Sequence, residues 1–160
     1  MSKQDITEKY KRLGGFLLFI VVMGIITTVF SFSLHVTSTA EIIQDINEAA
    51  TLYTALRLIG TLLTFVALMI YVLQYISIIK RTHLFLRYYQ TGFGIMMIAN
   101  LLSYAAQMYL GELDTSSIVF MVIWFPIAMA LYTLYFCKSI RVQTYMGGTE
   151  YMSKALFAFK

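Results

Sequence analysis

Charged residues leave four long gaps in this chain, Leu13 to Ala40, Leu58 to Ile79, Tyr88 to Gly111 and Thr115 to Cys137. Each exceeds the roughly 20 residues whose helix spans about 30 Å of hydrocarbon. In that solvent a chain must satisfy its backbone polar groups internally, which a helix does within one segment. The pattern predicts an all-α polytopic membrane protein, an antiparallel four-helix transmembrane bundle with spans at about 13–35, 53–79, 88–110 and 116–137. The spans use most of the 160 residues, 59% of them hydrophobic, and leave one membrane domain with no folded soluble domain beside it.

The basic residues orient the pattern. Eleven of the twelve Lys and Arg lie before, between or after the paired gaps, at positions such as Lys9, Arg12, Lys80, Arg87, Arg141 and Lys160. The opposite loops hold acids, Glu41, Asp45, Glu48, Glu112 and Asp114. Lys and Arg are retained on the cytoplasmic side, so both termini and the middle loop are predicted inside. The net charge of +4 then reads as a topology signal and as attraction to anionic membrane lipids, with no need for nucleic acid.

Ser38 and Ala40 mimic a signal-peptidase site. The apolar stretch before them is longer than the roughly 7 to 15 residues of a signal core, so it is read as an uncleaved first helix. Ser38 and Glu41 form a capping box ahead of apolar residues at helical spacing, among them Ile42, Ile43 and Ile46, which predicts an acidic amphipathic helix at about 38–51 lying on the outer surface. A similar box at Asp5 and Glu8 precedes the first span. Pro126 removes one donor from the fourth helix and predicts a kink or a hydrated carbonyl there. After Gly147 and Gly148, the segment 147–160 alternates aromatic, apolar and basic residues like a cytoplasmic surface anchor. Tyrosines near span ends, including Tyr75, Tyr89 and Tyr145, are expected at the interface.

The run Tyr135-Phe136-Cys137-Lys138-Ser139-Ile140-Arg141-Val142, followed by Tyr145, resembles the closing motif of the YdgK-like family of small four-helix bacterial inner-membrane proteins, a domain of unknown function. Leu13-Gly14-Gly15-Phe16-Leu17 resembles that family's opening, with Phe16 in place of the usual Trp, and Lys80-Arg81 with Phe85 resembles its basic loop. The resemblance implies a bacterial inner-membrane location and no particular activity.

Polar residues within the spans cluster by face. Thr28, Ser31 and His35 share one face of the first helix, Thr54, Arg57, Thr61 and Thr64 one of the second, and Asn100, Ser103 and Gln107 one of the third. If these faces meet they line an outward-facing polar cleft. Arg57 is the one Lys or Arg outside the basic set, and a charge at that depth needs a partner or water. One reading pairs it with Glu48, Glu112, Asp114 or a lipid phosphate; the other makes it the cation that receives an anionic ligand. Asn100, Ser103 and Gln107 read first as glue between helices, as do close contacts at Gly24, Gly60, Gly92 and Gly94.

Catalytic sets are missing from the sequence. One cysteine, Cys137, excludes an internal disulfide and reads as a small buried hydrophobe. His35 and His83 are separated by a whole span, so no shared metal or haem is expected, and no cofactor. No Ser-His-Asp set, phosphate loop or carboxylate pair offers an enzyme its residues. The expected role is a non-enzymatic accessory or interaction subunit with a membrane-protein partner or a second copy of itself. The alternative is a small transporter or ligand-binding membrane protein using the cleft around Arg57. Cysteine labelling should place Met1, the Lys80 to Arg87 loop and Lys160 inside, with Glu48 and Asp114 outside; a terminus labelled from outside would overturn the orientation.

Overall fold

The computed structural model describes residues 13–48, 51–109 and 115–159, and the chain in them is helical with no strand. Its helices are α1 (Gly15–Glu48), α2 (Leu52–Ile79), α3 (Phe85–Tyr109), α4 (Thr115–Lys138), α5 (Ile140–Met146) and α6 (Glu150–Ser153). By length and composition, α1 over Gly15–Gln44 and α2 are able to cross a membrane. A third candidate is the bent pair Val122–Lys138 with Ile140–Met146. By contrast α3 carries Arg87, Gln90, Asn100 and Gln107 along its length and is more polar.

Small residues set the closest helix approach. A Cβ at Gly60 on α2 would stand 2.8 Å from Ser103 Oγ and 3.1 Å from the Ala99 carbonyl oxygen of α3, and one at Gly92 would stand 3.2 Å from Ile70 and Tyr71. Those pairings run in opposite directions along the chain, so α2 and α3 are antiparallel with a continuous register. Ala67, Ala99 and Ala106 are fully buried along the same helices. Hydroxyls survive burial here because they bond within their own helix: Thr64 donates to the Gly60 carbonyl at 3.0 Å and Ser103 to that of Ala99 at 3.1 Å. Gly94 meets nothing within 4 Å, so the expected close contact is absent there.

The outer pairs are aromatic and looser. Against α2, α1 packs through Phe32 on Phe65, ring centroids 5.3 Å apart, and through Gly24, whose missing side chain admits Tyr75. Four ring pairs hold α4 on α3: Phe93 with Phe125, Tyr89 with Tyr132, Tyr89 with Phe136 and Phe85 with Phe136, at 5.2, 6.0, 5.6 and 5.4 Å. Along most of their length α1 and α4 are not packed on each other, although Phe16 meets Tyr135 edge-on at 5.1 Å.

Two sequence expectations change. The segment after His35 is helical as expected, yet it is no separate surface helix, because α1 continues without a break to Glu48. The predicted cap at Ser38 is unused. No Gly or Pro interrupts Val36 to Ala40, and Thr37 and Thr39 donate to the Ser33 and His35 carbonyls at 3.0 and 2.6 Å within the helix. The break comes later, where Thr51 caps α2 in a reciprocal pair with Thr54. The side chain of Ile46, the box at Asp5 and Glu8, and the acidic turn at Glu112 and Asp114 lie outside what is described. Around Pro126 α4 remains one helix, and the sharp turn, 65°, falls at Ser139.

The segment 147–160, expected as a surface anchor, folds back onto the helix ends and leaves Leu156, Phe157 and Phe159 exposed. Ser139 caps α5 by accepting from the Val142 amide, and Gln143 Nε2 donates to the Cys137 carbonyl at 2.7 Å, satisfying a terminal acceptor of α4. Gly147, at φ 80°, supplies the left-handed turn that ends α5. Tyr151 is completely buried against Phe85 and donates to the Phe136 carbonyl at 2.6 Å. Burial, with Cys137 nearby, pushes its phenol pKa up, so its proton is held in the fold well above the ordinary tyrosine range. Deeper still, Gln90 of α3 donates to the Phe157 carbonyl at 2.7 Å and accepts from the Leu156 amide at 2.7 Å. Leu156 itself stays exposed.

Gln90 thus holds a loop that has no helix or strand to satisfy its backbone. Gln90→Leu removes both part-buried bonds, a loss of about 1–3 kcal/mol at about 0.5–1.5 kcal/mol each. Hydrogen exchange at the Leu156 amide should quicken by at least tenfold while amides of α2 are unaffected. An unchanged rate at Leu156 would contradict the latch.

Candidate functional site

A cavity of about 510 Å³ opens among the four long helices, on the side nearer α5 and α6. It exists because the helices meet through rings of unequal size. At Gly24 and Ala128 the walls recede, while Phe93, Phe125, Tyr89 and Tyr132 keep α3 and α4 apart and leave space that α1 does not fill. Half of its lining residues are aromatic, joined by Met23 and Met96, whose soft side chains adapt to varied shapes. Among the described residues no Asp, Glu, Lys, Arg or His lines it.

The mouth lies between α1 and α4. Phe19, Met23 and Thr27 on α1 and Trp124 and Tyr132 on α4 line the cavity and are themselves exposed, Phe19 by 57% and Trp124 by 53%. The opening is therefore lateral, framed by apolar rims along the sides of helices. A charged or strongly hydrated molecule would lose its water in this space without gaining a counter-ion. An uncharged, largely apolar molecule would lose little and bury much.

Polar groups are few and sit on the walls. Thr27 donates to the Met23 carbonyl at 2.8 Å and is thereby committed, and the Tyr75 hydroxyl meets that of Thr28. Gln74 is 2% exposed and Tyr89 6%, and among the described residues neither Gln74 Oε1 nor the Tyr89 hydroxyl has a hydrogen-bond partner. Tyr75 and Tyr89 were expected at the interface; they belong to this wall instead, because Gly24 and the α2–α3 seam draw them inward.

The residues singled out from the sequence divide. Ser31 lines the cavity, and its carbonyl oxygen is 2.8 Å from His35 Nδ1. Ser103 belongs to the α2–α3 seam, and Thr61 is buried on α2. Asn100 and Gln107 are partly buried on α3 and do not line the cavity. Arg57 sits with its guanidinium 5.3 Å from the Tyr53 ring centre, a cation–π contact on its own helix, also away from the cavity. The side chains of Glu48, Glu112 and Asp114 lie outside what is described. The cleft inferred from polar faces and the cavity observed thus share two residues, Thr28 and Ser31, both on α1. One signal for the cavity was available in the sequence, the Tyr71, Gln74 and Tyr75 cluster on α2, polar side chains three and four residues apart in an apolar span.

Among the described residues no three His, Cys, Asp or Glu side chains gather as a metal site. No protein-family profile, curated protein or solved structure matches the chain. Because Arg57 stands apart from the cavity, Arg57→Gln should leave uptake of an uncharged guest into it unchanged, as measured by native mass spectrometry. A loss of uptake in a variant that stays folded would restore Arg57 as part of the site.

Proposed function

We propose that the chain is a non-enzymatic integral membrane protein that holds an uncharged lipophilic molecule among its helices. The observation that carries this reading is the aromatic cavity, lined by no charged side chain among the described residues, whose mouth lies sideways between α1 and α4. In a bilayer that mouth faces hydrocarbon, and a guest reaches it without crossing water. The proposal is the ligand-binding alternative of the sequence reading, with the site moved from the face of Arg57 to the cavity.

Its membrane setting is four crossings with both termini on the cytoplasmic side of a bacterial inner membrane, as the charge asymmetry and the YdgK-like resemblance imply. For α3 the support is its antiparallel packing along α2, which shields its Asn and Gln from lipid. Exposed apolar side chains on α1 and α4, such as Val29, Phe30, Phe120 and Ile123, suit contact with acyl chains. They equally suit a second reading, an accessory subunit whose membrane-protein partner or second copy covers these helices.

Mass spectrometry of the protein taken from native membranes separates the two. A neutral organic molecule retained at near one per chain is expected, and Ala128→Leu or Ser31→Leu, which fill the cavity from α4 or α1, should cut its retention several-fold. A stoichiometric second chain with no retained molecule would favour the accessory subunit and overturn the ligand reading.

A further inference from the structure

Two side chains of the cavity wall each end in a buried oxygen that has no hydrogen-bond partner among the described residues, and their chemistry narrows the guest. Gln74 Oε1 and the Tyr89 hydroxyl are on side chains more than nine-tenths buried, both lining the cavity. They also stand at one level. The antiparallel register that sets Gly60 against Ser103 and Tyr71 against Gly92 sets Gln74 across from Tyr89 on the neighbouring helix. Native structures rarely leave such groups unpaired without a reason, and a missing ligand group is one such reason.

We propose that Gln74 and Tyr89 bind the hydroxyl group of a neutral lipophilic alcohol or phenol, an inference that rests on the cavity being a ligand site. The carbonyl oxygen of Gln74 accepts and cannot donate, so the guest must bring a donor. The Tyr89 hydroxyl both donates and accepts. A hydroxyl satisfies both partners from one atom, donating to Gln74 and accepting from Tyr89. An ester or ketone can accept from Gln74 Nε2 or the Tyr89 hydroxyl, yet it leaves Gln74 Oε1 unsatisfied. A carboxylate or phosphate would meet the Gln74 oxygen with no cation among the lining residues. Binding requires the Gln74 amide and the whole Tyr89 side chain to turn from their buried positions toward the open space that both residues border. The surrounding rings, Phe93, Phe125 and Trp124 among them, suit an aromatic or ring-bearing body behind that hydroxyl.

The test compares para-octylphenol with para-octylanisole, its methyl ether, which keeps shape and apolar area and loses the donor. The full chain is titrated with each in detergent, and one-to-one adducts are read by native mass spectrometry. Wild type should bind the phenol about tenfold more tightly than the ether, the scale of one buried hydrogen bond gained. In Gln74→Met and in Tyr89→Phe that preference should fall toward parity while ether binding persists, which also shows that the variant is folded. Equal binding of both probes by wild type would overturn the hydroxyl assignment and leave the cavity reading intact. Binding of neither would overturn the cavity reading itself. A preference that survives both substitutions would place the hydroxyl elsewhere on the wall and overturn the roles given to Gln74 and Tyr89. Should Gln74→Met fail to fold, Tyr89→Phe, which removes a single oxygen, decides the matter.

Discussion

The close approach of α2 and α3 is the constraint on which the rest of the molecule depends. Glycine at positions 60 and 92 and the fully buried alanines 67, 99 and 106 allow those helices to meet backbone to backbone. In a medium where apolar side chains gain nothing by leaving lipid for one another, such packing and the hydrogen bonds it shelters are what hold helices together. The seam provides two further things. It fixes a register that brings polar and aromatic side chains of both helices to matching levels, and it forms the firm surface on which α1 and α4 rest.

The outer helices are attached by rings and not by small residues, and the consequence is space. Ring centroids 5 to 6 Å apart between α3 and α4 keep the backbones apart. A glycine on α1 accepts one tyrosine, and the remaining volume is the cavity. Cavities lined by apolar groups stay dry and take apolar guests, whereas polar atoms on the wall impose a chemical preference. A wall with rings, methionines and two unsatisfied oxygens is an environment for a neutral molecule with a polar head.

At the opposite pole from Glu41 the chain closes itself. Ser139 turns α4 into α5, Gly147 ends α5, and Gln90 and Tyr151 tie the final residues to α3 and α4. Tyr145 stacks beneath Arg81, whose guanidinium lies 4.6 Å from the ring centre, and reaches the last carbonyl of α2. The run Tyr135 to Val142 with Tyr145, which carries the family resemblance, is therefore the corner where the helix ends are joined. Its residues serve packing there, as the buried Phe136, Cys137 and Val142 illustrate.

By itself the sequence determined the helices and their order. Uncharged stretches above span length and the glycines after Met146 are local signals, and local geometry obeys them. It also pointed to close contact at Gly24, Gly60 and Gly92, since a missing side chain is a property of one residue. Where sequence reading went astray, two local signals competed. Ser38 and Glu41 spell a capping box, but a cap forms only where a helix starts, and nothing before Ser38 stops α1. Polar faces on three helices suggested a cleft at Arg57, but spacing along one helix says nothing of the rotation of its neighbour. That rotation was decided by the tertiary structure. Packing at Gly60 commits Ser103 to the seam, and the same register turns Gln74, Tyr75 and Tyr89 toward α1 and α4. Gln90, an unremarkable polar residue in sequence, became the anchor of the tail for the same reason: its partners are backbone groups 66 and 67 residues away, and only the folded chain brings them within 3 Å.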